Sequence, residues 1–89
     1  MPASSETRVV MPERVALHAR PAGTFVKTAM RFQAQIRVAT ADKAADAKSI
    51  LSVLALGARG GTPLVLSADG PDAGEALDAL TACVAGLVE

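Results

Sequence analysis

"ALHARPAG" (residues 16–23) contains the one histidine of the chain, His18, and marks the expected start of the first helix. Proline fits the first turn of a helix, and it disfavours helical angles in the residue before it. Local preferences alone therefore place Pro21 at the first helical position with Arg20 as the cap. A fold that holds Arg20 helical instead moves the start to Ala19. In both cases His18 lies at a helix N-terminus or one residue outside it.

This position gives His18 a possible chemistry. The first N–H groups of a helix lack intrahelical partners and carry partial positive charge, so a phosphate is stabilised there. The guanidinium of Arg20 adds a fixed charge and donors that suit phosphate oxygens. An uncharged imidazole nitrogen held at this position is able to attack a phosphoryl group. Spacing alone leaves a second interpretation open, in which His18 is a surface or capping residue without chemistry.

Length and composition describe one small domain with an aliphatic core. The chain has 89 residues, of which 51% are hydrophobic but only two, Phe25 and Phe32, are aromatic. Nine basic and nine acidic side chains cancel, and Trp and Tyr are absent from the sequence. Nucleic-acid binding normally needs a basic surface and stacking rings, so we expect no nucleic-acid partner.

Cys83 is the one cysteine, which excludes an intrachain disulfide and a thiolate metal cluster. Its helical spacing from Leu80 and Leu87 predicts a side chain that faces the core. We expect no metal and no cofactor. The sequence has no apolar run near the ~20 residues of a membrane helix, and its start lacks the pattern of a signal peptide. We therefore expect a soluble, cytoplasmic protein without membrane insertion.

Three helices are predicted. The first continues from Pro21 with Arg20 and Lys27 off its apolar stripe, which consists of Ala22, Phe25, Val26, Ala29 and Met30. Ser49 caps a short helix, "SILSVLALG", that Gly57 ends in a left-handed conformation. Asp72 with Glu75 forms a capping box for the last helix, with Asp69 as a competing cap. Its buried stripe is Ala73, Ala76, Leu77, Leu80, Val84, Leu87 and Val88.

Four strands complete the prediction. "TRVVM" (7–11) is rich in β-branched residues, and "AQIRVAT" (34–40) alternates between apolar and polar residues. A short strand passes through Ala44 and Ala45, and "TPLVLSA" (62–68) follows the Gly60–Gly61 turn, with Pro63 expected at its start. The order β-α-β-β-α-β-α predicts an α+β fold, with an antiparallel sheet and helices packed on one face.

The second predicted helix carries more apolar residues than one face holds: Ile50, Leu51, Val53, Leu54 and Leu56. Some of them are expected to face solvent. The helix is either fully packed or presents an apolar docking patch. In the second case Lys27 and Lys48 add positive charge that attracts an acidic partner.

"LHARPAGTFVKTA" followed by "ADAKSILSVLALGARGGT" resembles the histidine-containing phosphocarrier (HPr) family of the bacterial phosphoenolpyruvate-dependent sugar phosphotransferase system. The similarity extends over nearly the whole chain as a single HPr-like domain. It implies an open-faced β-sandwich of four antiparallel strands with three helices on one side, and a first helix that starts at about Ala19. The sequence has Ala16 where the family commonly has glycine. Alanine tolerates positive φ badly, so we expect a different backbone path into His18.

The resemblance also implies roles for individual residues. His18 matches the histidine that accepts a phosphoryl group on Nδ1 from phospho-Enzyme I and passes it to the A domains of sugar permeases. Arg20 matches the arginine that contacts the phosphate, which the backbone N–H groups of Ala19 and Arg20 also hold. Ile50, Leu51 and Leu54 match the family's docking patch, and the expected docking surface also includes Thr24, Lys27 and Lys48.

Ser49 matches a serine that an ATP-dependent HPr kinase/phosphorylase modifies in some bacteria, which affects sugar uptake and a carbon-repression regulator. A purely structural role as a helix cap is the alternative for Ser49. We expect a monomer. A second functional hypothesis is a nitrogen-related phosphotransferase carrier, which binds and signals without sugar transport.

Overall fold

The computed structural model describes residues 4–87 and contains seven elements of secondary structure. Their order is the predicted β-α-β-β-α-β-α. The bounds are β1 Ser4–Val10, α1 Ala19–Ala29, β2 Gln35–Ala39, β3 Ala44–Asp46, α2 Ile50–Ala55, β4 Pro63–Asp69 and α3 Ala73–Ala85.

The four strands form one antiparallel sheet in the order β1-β4-β2-β3. Alternate side chains of β2 divide between its two faces: Ile36 and Val38 are buried, whereas Gln35 and Arg37 are exposed. In the central pair Val38 of β2 lies opposite Leu66 of β4. Helices therefore cover one face of the sheet and leave the other open, which confirms the predicted α+β open-faced sandwich.

The core lies between this face and the helices. Phe25 of α1, Leu66 of β4 and Leu80 of α3 are each 0% exposed, and no polar or charged side chain is buried in the part of the chain that the structure describes. Phe32 is only half-buried and packs against the edge of the core. Aliphatic side chains and one phenyl ring thus supply the apolar burial that holds the layers together.

Several predicted boundaries move because partner elements extend or shorten them. β1 starts at Ser4 rather than at residue 7, since Ser4 already pairs with Asp69 of β4. Pro63 begins β4 as predicted, at a position where its missing N–H is tolerated. Met30 does not belong to the buried stripe of α1: it is the C-cap and is 64% exposed, because the helix ends there at the edge of the core.

The buried stripe of α3 is confirmed at Ala73, Ala76, Leu77, Leu80, Val84 and Leu87. Val88, the last predicted member, lies outside the described residues. Cys83 is half-buried and packs against the core, with its Sγ 3.6 Å from Oγ1 of Thr28 on α1. The α1–α3 contact thus covers part of the thiol.

The predicted capping box of α3 is wrong. Asp72 is the N-cap residue, but its side chain makes no capping hydrogen bond. Its two carboxylate oxygens instead accept hydrogen bonds from the backbone N–H groups of Gln33 and Ala34, both at 2.8 Å. The carboxylate therefore ties the start of α3 to the chain that enters β2. Glu75 and the competing cap Asp69 are both exposed.

The pKa of Asp72 lies below its usual value, chiefly because the Gln33 N–H donates to the carboxylate; the Ala34 N–H and the charge of Lys48 act the same way, and desolvation opposes them. Since the pKa is lowered on folding, this stabilisation is present above the ordinary Asp pKa of ~3.9 and is lost as pH falls through the folded value.

We expect the wild type to be more stable than Asp72→Asn at pH 6, and the difference to shrink toward pH 2. Urea unfolding at several pH values measures it. Asp78→Asn on the exposed side of α3 is the matched control, and an advantage that does not change with pH would contradict the argument.

Candidate functional site

His18 is the N-cap residue of α1. Its backbone is extended, with φ −80° and ψ −174°, and its carbonyl oxygen accepts a hydrogen bond from the Ala22 N–H at 2.8 Å. The residue is exposed. The structure therefore places the imidazole at the surface, beside the first turn of a helix, as the sequence predicted.

The helix begins at Ala19, as the family resemblance implied, so the alternative with Arg20 as the cap is wrong. Pro21 occupies the third helical position, where an N–H has no intrahelical partner and its absence breaks no bond. Pro21 is also buried against the core. Burial of the ring compensates for the restriction that proline places on Arg20.

The chain before His18 is fixed by a contact with the chain after α2. Leu17 is only 3% exposed, and its N–H donates to the carbonyl oxygen of Ala58 at 3.0 Å. No non-glycine residue among residues 4–87 has positive φ, so Ala16 enters the site through an ordinary conformation. A buried leucine thus stands immediately before the exposed histidine and limits where the ring can lie.

The first turn of α1 is well suited to an anion. Ala19 and Arg20 are exposed, and no acidic residue lies in this turn. Their backbone N–H groups belong to the set without intrahelical acceptors, at the positive end of the helix dipole. The residue Arg20 lines a groove between α1 and α3, together with Arg31 and Cys83. Arg20 thus lies two residues after His18 in the chain and borders the groove between α1 and α3.

A shallow depression borders His18. Leu54 of α2 forms one wall, and Arg59 of the loop after α2 forms another; the remaining lining residues are Ala16, Leu17, Gly57 and Ala58. Sequence reasoning did not identify Arg59 as part of the site. Its proximity to His18 depends on the hydrogen bond between Leu17 and Ala58, which joins residues 41 positions apart and leaves no local pattern in the sequence.

The second helix exposes part of its apolar surface, as predicted. Leu51 is 77% exposed and Ile50 38%, whereas Val53 and Leu56 are buried. Leu54 is half-buried and borders the depression at His18. We call Ile50, Leu51 and Leu54 the α2 patch. It is continuous with the histidine site through Leu54.

The polar residues predicted to take part in docking differ in their exposure and in their hydrogen bonds to the rest of the fold. Lys27 is exposed in the last turn of α1. The ammonium of Lys48 donates to the carbonyl oxygen of Phe32 at 2.7 Å and is half-buried. Thr24 is exposed, and its hydroxyl donates to the carbonyl of Arg20 at 3.2 Å. Lys27 is thus available to a partner, while Lys48 also holds two loops of the fold together.

Ser49 is the N-cap of α2, as predicted. Its Oγ accepts a hydrogen bond from the Ser52 N–H at 3.3 Å. At the other end of α2, Gly57 has φ +65°, which confirms the expected left-handed ending. The ammonium of Lys43 lies 3.4 Å from the Ala55 carbonyl, where positive charge favours the helix dipole. Ser49 therefore has a structural function whether or not it is modified.

Among residues 4–87, no three His, Cys, Asp or Glu side chains lie close enough together to hold a metal ion. None of the helices in this part of the chain combines the length and the apolar character needed to cross a membrane.

Comparison with known proteins adds independent information. The family described as "PTS HPr component phosphorylation site" matches residues 5–86. The phosphocarrier protein HPr of Streptomyces coelicolor is 42% identical over 87 residues, which cover 96% of this chain and 94% of that protein. The chain belongs to the HPr family. Members of this family are phosphocarriers of the phosphotransferase system rather than enzymes.

The similarity of this chain to a solved structure and to part of a longer protein agrees with its assignment to the HPr family. The crystal structure of HPr from Bacillus anthracis superposes with a TM-score of 0.87 at 39% identity, covering 92% of this chain and 98% of that one. A multiphosphoryl transfer protein of Xanthomonas campestris is 45% identical over 71 residues, which cover 80% of this chain but only 8% of that protein. An HPr-like segment therefore occurs both alone and within a larger phosphoryl-transfer protein.

Gly60 lies in the loop that carries Ala58 and Arg59, and a Cβ at this position would overlap the backbone carbonyl of Glu13. Because neither backbone moves without strain, we expect Gly60→Ala to lower the free energy of unfolding by about 2 kcal/mol. Gly74→Ala is the matched control: an added Cβ meets nothing within 4 Å there, and alanine in a helix gains roughly 0.5–1 kcal/mol. Urea unfolding of both variants measures the difference, and equal stabilities would refute the close approach.

Proposed function

We propose that His18 carries a transient phosphoryl group, accepted on Nδ1 from phospho-Enzyme I and passed on to the A domains of sugar permeases. The observation that carries the proposal is the exposed imidazole at the N-cap of α1. Membership of the HPr family supports the same role. The proposed location is the cytoplasm, where such partners meet a small carrier.

The proposed transfer is a displacement at phosphorus. The lone pair of the neutral imidazole nitrogen attacks, a nitrogen–phosphorus bond forms, and the bond from phosphorus to the donor breaks with its electron pair left on the donor. The phosphoryl oxygens then receive hydrogen bonds from the N–H groups of Ala19 and Arg20 and a charge-assisted contact from the Arg20 guanidinium. In the second transfer an acceptor attacks the phosphorus, the nitrogen–phosphorus bond breaks, and His18 returns to its unphosphorylated form.

The α2 patch and Lys27 are proposed to bind the partners. Exposed apolar side chains next to a reactive group favour a partner with a complementary apolar recess. The exposed ammonium of Lys27 favours an acidic rim on that partner and accelerates encounter. Thr24, Lys48 and the α2 patch complete the proposed surface. Donor and acceptors then use one surface in turn, since each must reach His18.

Ser49 is proposed as a regulatory phosphorylation site for an HPr kinase/phosphorylase, with consequences for a carbon-repression regulator. A phosphate at the start of α2 is favourable for that helix because it meets the positive end of the dipole. It also adds negative charge directly beside Ile50 and Leu51. An acidic partner would then be repelled from the α2 patch.

Incubation with phosphoenolpyruvate and Enzyme I is expected to add one acid-labile phosphoryl group to the wild type and none to His18→Ala. Intact-mass measurement and radiolabel counting give the stoichiometry. Urea unfolding of both proteins checks that the variant is folded. Uptake by a folded His18→Ala would overturn the proposal. A purified permease A domain should then remove the label; a label that stays on the carrier would favour the nitrogen-related alternative.

Ser49→Asp is expected to slow transfer to or from His18 by about five- to tenfold, because the added charge repels acidic partners. Ser49→Ala is the matched control. It removes the cap and should cost about 1 kcal/mol of stability, yet it adds no charge and should leave the transfer rate unchanged. Stopped-flow or quench-flow transfer rates with Enzyme I measure both variants. Equal rates for Ser49→Asp and the wild type would remove the inhibitory role.

A further inference from the structure

We infer that Arg59 is a second guanidinium that contacts the phosphoryl group on His18. This inference rests on the proposed phosphorylation of His18 and adds a residue to that site. The observation behind it is that Arg59 and His18 line the same depression, whereas Arg20 borders the groove on the α3 side of α1. An anion on His18 would therefore have a cationic residue on each side.

The position of Arg59 follows from backbone contacts. The Leu17 N–H donates to Ala58 at 3.0 Å, and His18 and Arg59 are the next residues along the two segments. The Arg59 N–H donates to Oγ1 of Thr62 at 3.1 Å, and the Thr62 N–H returns a bond to the Arg59 carbonyl at 3.0 Å. The backbone N–H and the carbonyl of Arg59 are thus both hydrogen-bonded to Thr62, so the backbone of Arg59 is held next to the histidine.

The side chain of Arg59 is available for this contact. The residue is exposed, and within residues 4–87 its guanidinium has no hydrogen-bond or ion-pair partner. A guanidinium presents a planar fork of donors that matches phosphate oxygens, and its charge favours a dianionic group. An arriving phosphoryl group would gain this contact without first breaking another one.

Transfer from phospho-Enzyme I tests the functional effect. We expect Arg59→Gln to slow uptake about tenfold, because a charge-assisted contact to the transferred group is lost. Arg59→Lys should recover only part of the rate, since an ammonium keeps the charge without the fork. Arg37→Gln, on the open face of the sheet, is the matched control and should stay within twofold of the wild type.

A second measurement separates a phosphate contact from a contact with Enzyme I. Phosphoramidate phosphorylates imidazole without any partner protein: the ring nitrogen attacks phosphorus, the reagent's P–N bond breaks, and ammonia leaves. In ¹⁵N-labelled protein treated in this way, the Arg59 Nε–H signal is expected to shift, and the Arg37 signal is not. His18→Ala treated identically should show neither change.

The outcomes are distinguishable. An unshifted Arg59 signal in protein that carries phosphohistidine overturns the inference, even if Arg59→Gln is slow with Enzyme I, because Arg59 then serves the partner. Equal uptake by Arg59→Gln and Arg37→Gln also overturns it and leaves the proposed function intact. Chemical phosphorylation of His18 without uptake from Enzyme I refutes the proposed donor while the Arg59 signal still decides this contact. Failure of both reagents to modify His18 refutes the proposed function and the inference together.

Discussion

Burial on both sides of His18 is the constraint on which the site depends. Leu17 before it and Pro21 and Ala22 after it are held in the core, so the three-residue segment between Leu17 and Pro21, which begins with His18, is kept at the surface. The hydrogen bond from Leu17 to Ala58 adds a lateral restraint from the loop after α2. The apolar core thus positions an exposed histidine without any polar side chain being buried in the described part of the chain.

The sequence predicted those features that depend on neighbours a few residues away. The alternation of β2, the cap at Ser49 and the left-handed Gly57 follow from local patterns, and all three are confirmed. Prediction from the sequence failed where a residue distant in the chain determines the contact. Asp72 carried a capping-box pattern, but the N–H groups at residues 33 and 34 claim its carboxylate. Arg59 carried no pattern at all, because a contact between loops brings it to His18.

The net charge of the whole chain does not reflect the positive charge around His18. Nine basic and nine acidic residues sum to zero, yet Arg20, Arg59 and Lys27 are exposed around the start and one side of α1, and the first turn has no acidic residue. Local arrangement rather than net charge therefore governs attraction of an anion or an acidic surface. The expectation that the protein has no nucleic-acid partner remains a prediction. It rests on the net charge of the whole chain and not on the basic residues around α1.

The sheet ends at β3, an edge strand of only three residues, Ala44–Asp46. Asp46 is exposed on it, and Asp42 and Lys43 are exposed just before it. A long, flat edge invites strands from other molecules, and short charged edges discourage that addition. β3 consequently offers few free backbone groups to an incoming strand at this edge, whereas the other edge of the sheet is the seven-residue strand β1.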